Sequence, residues 1–365
     1  MLKTPGLARI NTILLFTILI SIILYFGKEF FVLITFSGLF AMLMAPVSNG
    51  FENHHISRVI SSVLSVLIIA AVLSVVVVLL SAQVANISQE MPQIRSGLER
   101  LISDVQYWIY NSIGVSSEQL KDQVSGVLSG LGSFLTGMVK GIFTFIGRFI
   151  LVMVFTFLFL LHRDKYVTIV EMLYKDRERD EIKELVGKIS KIAQQYLAGR
   201  LVAAFLMCIL FIIGFSIIGL KNAILLSTIA AFVTIIPYVG GLIGGLVPLL
   251  MTVISSSYNQ ALLVVVVILL VNVLDHYYIE PYIVGGSVNI SPFFTILILI
   301  LGGILWGLSG IILFLPLLGI LKIVFENVEG LQPYAYMIGN QRESTTHEKI
   351  WLKLKELFSR RKNRN

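Results

Sequence analysis

Asp275, His276 and Glu280, with Asn272 one helical turn earlier, are the residues of this chain whose types and spacing suit chemistry. In an α-helix, Asn272, Asp275 and His276 share one face. A carboxylate in or near a bilayer is costly unless paired or hydrated, so it is by default a candidate for function. The function here would be ion coupling, with Asp275 and Glu280 relaying a proton or holding a monovalent cation. The alternative is structural: both acids sit at the inner membrane interface, with Tyr277 and Tyr278 in an aromatic belt. Pro281 pushes Glu280 out of helical geometry, which predicts a helix end and then a turn at Gly285 and Gly286.

The setting makes these groups conspicuous. Residues 201–326 hold five charges, Lys221, Asp275, Glu280, Lys322 and Glu326. The whole chain of 365 residues is 56% hydrophobic and 13% charged, whereas soluble domains run near ~25% charged. Its mean hydropathy of +0.89 belongs in lipid. There is room for about eight apolar segments of the ~20 residues that cross a hydrocarbon core, so the expected fold is all-α and polytopic. The net charge of +7 gathers in two segments beside apolar runs, which fits topology better than nucleic acid. The single cysteine, Cys208, allows no intramolecular disulfide and no metal set.

Six regions follow from the pattern. Residues 1–84 carry three spans, the first retained because no small-residue cleavage site follows it. Residues 85–140 turn polar with helical apolar spacing, an extracytoplasmic insertion. Span four is 141–161. Residues 162–200 hold nine Lys or Arg against seven Asp or Glu, and Ile182, Leu185, Val186, Ile189, Ile192 and Tyr196 mark one face of a cytoplasmic amphipathic helix. Residues 201–326 form a transport core, and 327–365 a basic tail with eight Lys or Arg. The positive charges place both termini in the cytoplasm.

Within the core, span five is followed by an apolar run, 222–255, interrupted by Pro237, Gly240, Gly241, Gly244, Gly245 and Pro248. Span six is followed by 292–325, interrupted around Gly302, Gly303, Gly307 and Gly310, with Pro316 beyond. The expectation is about six full spans plus two broken, re-entrant hairpins, arranged as an inverted repeat. Interrupted apolar segments at matching positions point to a transporter's solute site, because broken helices expose backbone that must face protein or water. The alternative for the glycines is close helix packing, since Gly240 and Gly244, Gly241 and Gly245, and Gly303 and Gly307 are G-x-x-x-G pairs.

The run from Asp275 to Gly285 (DHYYIEPYIVG), Ser291-Pro292, Gly302-Gly303, the stretch from Trp306 to Gly310, Leu315-Pro316-Leu317 and the stretch from Ile236 to Gly240 resemble the signature of the AI-2E family of bacterial membrane proteins. The resemblance covers nearly the whole chain. It implies a multipass transporter of the bacterial cytoplasmic membrane, with members linked to export of the quorum-sensing furanone autoinducer-2 and others to sodium/proton antiport. It also implies homo-oligomers, as pentamers. By position it carries over Pro237, Tyr238 and Gly240 in the first hairpin, and Glu280, Pro281, Gly285, Pro292, Gly303, Gly307, Gly310 and Pro316 in the second. The chain departs from the family at Gly286, where members often carry Lys or Arg, so an anion contact there is unsupported.

Other chemistry finds no footing. The chain has no phosphate-binding G-x-x-x-x-G-K-[ST] loop, His347-Glu348 lacks a second zinc-spaced histidine, and no Ser, His and Asp set assembles. His54 and His55 suit a surface loop. The reading is a non-enzymatic secondary transporter or exporter of a small solute, with no cofactor and no metal. The alternatives are a monovalent cation/proton antiporter, a passive channel, and a non-transporting membrane scaffold recruiting partners through residues 85–140 and the tail.

Overall fold

The computed structural model describes residues 7–75, a few scattered positions between 78 and 107, and residues 147–173, 179–234, 240–254, 258–284 and 289–340. The 85–140 insertion therefore falls almost wholly outside the described residues, and so does the part of the basic tail from residue 341 onward. The protein is an all-α polytopic membrane protein. Among the described residues five helices are long and apolar enough to cross a membrane, and shorter apolar helices accompany them.

The helices are α1 (Leu7–Phe26) and α2 (Lys28–Asn53), then α3 (Arg58–Val75) and α4 (Gly147–Leu161). There follow α5 (Arg163–Leu173), α6 (Arg179–Ile217), α7 (Ala223–Val233), α8 (Gly240–Ile254) and α9 (Tyr258–Leu274). A π-helical segment, Asp275–Val284, continues α9. It is followed by α10 (Pro292–Trp306), α11 (Leu308–Asn327) and α12 (Gln332–Ile338). Buried hydroxyls in these helices bond back to the preceding turn, as Ser37 does to the Leu33 carbonyl (2.7 Å) and Thr156 to that of Val152 (2.7 Å). This satisfies polar groups where lipid offers no partner.

The chain forms two compact units. One comprises Met1–Met42, His162–Tyr196 and Gly286–Asn365; the other comprises Leu43–Leu161 and Leu197–Gly285. In the first, Trp306 Nε1 donates to the Leu24 carbonyl (3.0 Å) and Gln194 Nε2 to that of Met42 (2.9 Å). In the second, α7, α8 and α9 pack in sequence order.

The glycines of α8 explain that order. Gly240 and Gly244 face α7: a Cβ at Gly244 would lie 2.5 Å from the Ala230 carbonyl oxygen, and one at Gly240 would strike the backbone of Val233 and Thr234. Gly241 and Gly245 face α9, where a Cβ would meet Asn272 and Ile268 respectively. Two G-x-x-x-G stripes thus let one helix approach two neighbours closely. The expected interruption of 222–255 does occur, between Val233 and Gly240, but these glycines and Pro248 lie inside α8 beyond it. Pro237 and Tyr238 fall outside the described residues.

The second hairpin turns at one residue. Gly307, at φ 62° and ψ −140°, both ends α10 and begins α11. Ser291 caps α10, and Pro292 stands in its first turn, where a missing N–H costs no bond. Gly302 and Gly310 let the two helices cross backbone to backbone. Gly302, Gly303 and Gly310 are therefore not break points. Neither is Pro316, which is buried within the 20 residues of α11. That helix is long enough to span, so the hairpin is not a pair of equally short helices.

The sharpest difference from the sequence reading concerns α6. The charged amphipathic segment and the fifth span form one continuous helix of 39 residues, about 58 Å long at ~1.5 Å per residue. Its buried positions explain the continuity: Ile182, Leu185, Ala193, Tyr196, Arg200, Ala203, Met207, Phe211 and Phe215 recur at helical spacing straight through residue 200. The polarity of the exposed face changes there; the core-facing stripe does not.

Candidate functional site

Arg200 stands on that stripe. It is four residues beyond Tyr196 and three before Ala203, so its side chain points where an apolar one is expected, and it is only 7% exposed. Its Nη2 donates to Glu280 Oε1 at 3.5 Å, joining α6 to the π-helical segment. The same guanidinium keeps Nε buried with no hydrogen-bond partner. Gly214, further along α6, lets that helix approach α9 closely: a Cβ there would lie 2.5 Å from Val267 Cγ1.

Asp275 opens the π-helical segment and is 8% exposed. No hydrogen bond to its carboxylate occurs among the described residues, and Glu280, Arg200 and His276 all lie within electrostatic range of it. The His276 side chain is 53% exposed, and its Nδ1 lies 3.9 Å from Glu280 Oε2. Of the three residues expected on one face, Asn272 is half-buried, Asp275 buried and His276 exposed. Asp275 and His276 lie in the π-helical segment, whose i→i+5 bonds give wider turns than an α-helix.

Pro281 was expected to end the helix, and that too is corrected: the helix runs through it to Val284. A proline contributes no N–H, so the segment lacks one backbone donor there. Asn272 serves packing. Its Nδ2 donates to the Ile268 carbonyl (2.8 Å) and across to that of Gly241 (3.3 Å), stitching α9 to α8.

Arg200, Asn272, Asp275, His276, Glu280, Gly240, Gly241, Gly244 and the backbone of Pro281 belong to one compact unit. Pro292, Gly303, Gly307, Gly310 and Pro316 belong to the other, and Gly285 lies outside the described residues. Sequence reasoning missed Arg200 because it closes the charged segment and was counted with its surface cations. Extending the apolar face from Tyr196 by one turn would have found it.

Two carboxyl groups share one guanidinium here, so one of them has no fixed countercharge. Such a group can take up and release a proton or other small cation. The Arg200–Glu280 pair anchors the far end of a helix of membrane-crossing length, Asn259–Glu280.

Comparison with known proteins agrees with this architecture. YueF of Bacillus subtilis (strain 168), whose name proposes a transport role, is 24% identical over 305 residues, covering 80% of this chain and 82% of YueF. The AI-2 transport protein TqsA of Escherichia coli (strain K12) is 22% identical over 332 residues, 87% of this chain and 93% of TqsA. YhhT of Escherichia coli (strain K12), also named for a proposed transport role, is 20% identical over 304 residues, 83% of this chain and 86% of YhhT. Residues 14–330 match the sequence profile of the AI-2E family transporters. The chain therefore belongs to the AI-2E family of membrane transporters.

Proposed function

We propose that this protein is a secondary exporter of a small polar solute, with ion coupling carried by Asp275 and Glu280. The supporting observation is the buried Asp275 carboxylate beside the Arg200–Glu280 pair at the end of a membrane-length helix. Polar groups so placed are costly and persist where they serve a pathway. A furanone of the autoinducer-2 type is the first solute to test, given the name of TqsA, and with it a part in quorum sensing. The setting proposed is the bacterial cytoplasmic membrane, with both termini inside and the chain assembled as a homo-oligomer, a pentamer by family resemblance.

The core has the same element order twice: the apolar half of α6 before α7 and α8, then α9 before α10 and α11. This repeat of a long helix and an interrupted hairpin supports the reading of an inverted repeat. A second reading, monovalent cation/proton antiport, is favoured by the excess of one carboxylate over guanidinium in the cluster.

Reconstituted vesicles separate the two. In the exporter, Glu280→Gln reduces proton- or sodium-dependent solute flux while the protein stays folded; unchanged flux removes the coupling role. Sodium-driven proton movement without any organic solute would select the antiporter.

A further inference from the structure

Helix α11 has membrane-crossing length. Its last turns carry the Lys322–Glu326 pair (3.0 Å), and charged groups at that end mark where the helix emerges from hydrocarbon. Four residues, 328–331, separate it from α12, so α12 sits at the level of the lipid headgroups. Ala335 and Ile338 are buried, whereas Tyr334, Tyr336 and Met337 are exposed. Tyrosine, with an apolar ring and a polar tip, suits this level of a bilayer. The end of α12 is also tied down. Ser291 N–H donates to the Ile338 carbonyl (2.9 Å) and Asn340 N–H to that of Asn289 (3.3 Å), which pins the chain to the start of α10.

The sequence beyond Asn340 continues the same chemistry. Residues 349–364 hold seven Lys or Arg against one acid, Glu356. Among them Ile350, Trp351, Leu354, Leu357 and Phe358 recur with the period of one helical face. A basic segment with an aromatic-rich apolar stripe suits an anionic lipid surface, where each cation tightens attachment about fivefold. Nucleic acid would engage the cations and leave the stripe in water. A soluble protein would have to compete with a bilayer that α12 already holds beside the segment.

We infer that Tyr334, Tyr336, Met337 and residues 349–364 form one attachment surface for anionic lipid headgroups, the exposed side of α12 entering the interface and the basic segment lying along it. The inference goes beyond the transport reading and depends on neither the solute nor the coupling ion.

Full-length protein in nanodiscs of phosphatidylcholine, alone or with phosphatidylglycerol added, tests it. In a Cys208→Ser background a nitroxide is attached at Ser359→Cys, at Tyr336→Cys or, as the aqueous reference, at Lys188→Cys. Its collisions with a neutral, water-soluble nickel complex are read by paramagnetic resonance. At Ser359→Cys they are expected to fall at least about fivefold when phosphatidylglycerol is present, the contribution of a single cation. Exchanging Lys353, Lys355, Arg360, Arg361 and Lys362 together for Gln should abolish that fall, and Trp351→Ser with Leu354→Ser should weaken it. The Tyr336→Cys label should be shielded relative to Lys188→Cys in both kinds of disc.

Equal accessibility at Ser359→Cys in the two discs, a fall that survives the five exchanges to Gln, or a Tyr336→Cys label as accessible as that at Lys188→Cys would each overturn the attachment surface. So would shielding at Ser359→Cys that requires added single-stranded RNA, which would assign the segment to nucleic acid. Should Tyr336→Cys alter the gel-filtration profile, Ser359→Cys decides alone.

Discussion

Removing the Arg200 side chain alone leaves Glu280, 30% exposed, unpaired beside the buried Asp275, and leaving such a partly buried group without its partner costs on the order of 1–3 kcal/mol. Replacing both partners with methionine removes the pair without stranding a charge, and such exchanges are commonly neutral or better. Arg200→Ala is therefore expected to lower the thermal unfolding midpoint in detergent well below that of Arg200→Met with Glu280→Met. Equal midpoints would mean the pair carries little of the fold's stability. Much at this scale was legible: Asp275 and Glu280 stand out as rare charges. Their geometry was not, because the pattern shows neither the π-helical segment they lie in nor that Asp275 is buried while its neighbour His276 is half exposed.

Glycine plays two roles in the helical hairpins, and sequence alone cannot tell them apart. Gly307 makes a turn that an L side chain rarely adopts, at φ 62° and ψ −140°. Gly303 lies inside α10, where an added Cβ makes ordinary contact with Ile311 at 3.4 Å. Gly307→Ala should cost about 1–3 kcal/mol, the usual strain of such backbone. Gly303→Ala should cost little or gain up to ~1 kcal/mol from helix propensity. Chemical or thermal unfolding of the two variants checks the contrast, and similar losses at both would refute it. The pattern of apolar runs revealed that both hairpins are interrupted. It could not show where, since close-packing glycines such as Gly244 and Gly302 look the same in sequence as the one that turns the chain.

Over the whole molecule, composition was enough to read an all-α membrane protein. That the charged segment and the fifth span are one continuous helix was not recoverable, because the change in surface polarity at residue 200 masks an unbroken stripe of buried positions. The α6 rod predicts that its polar end and the loop after it lie on opposite sides of the membrane. In a Cys208→Ser background, Lys221→Cys should react with an impermeant maleimide in intact cells, and Lys188→Cys only after the cells are opened. Both positions are exposed. Reaction of both in intact cells would refute the topology.

Because α6 has no joint between Arg179 and Ile217, force applied to its charged half is not lost in a hinge. A twist or tilt imposed there reaches the Arg200 guanidinium as a change of aim. Anything in the aqueous compartment that grips the exposed end of this lever, whether a soluble protein or a lipid headgroup, would gain mechanical control over a contact at the end of a membrane-length helix.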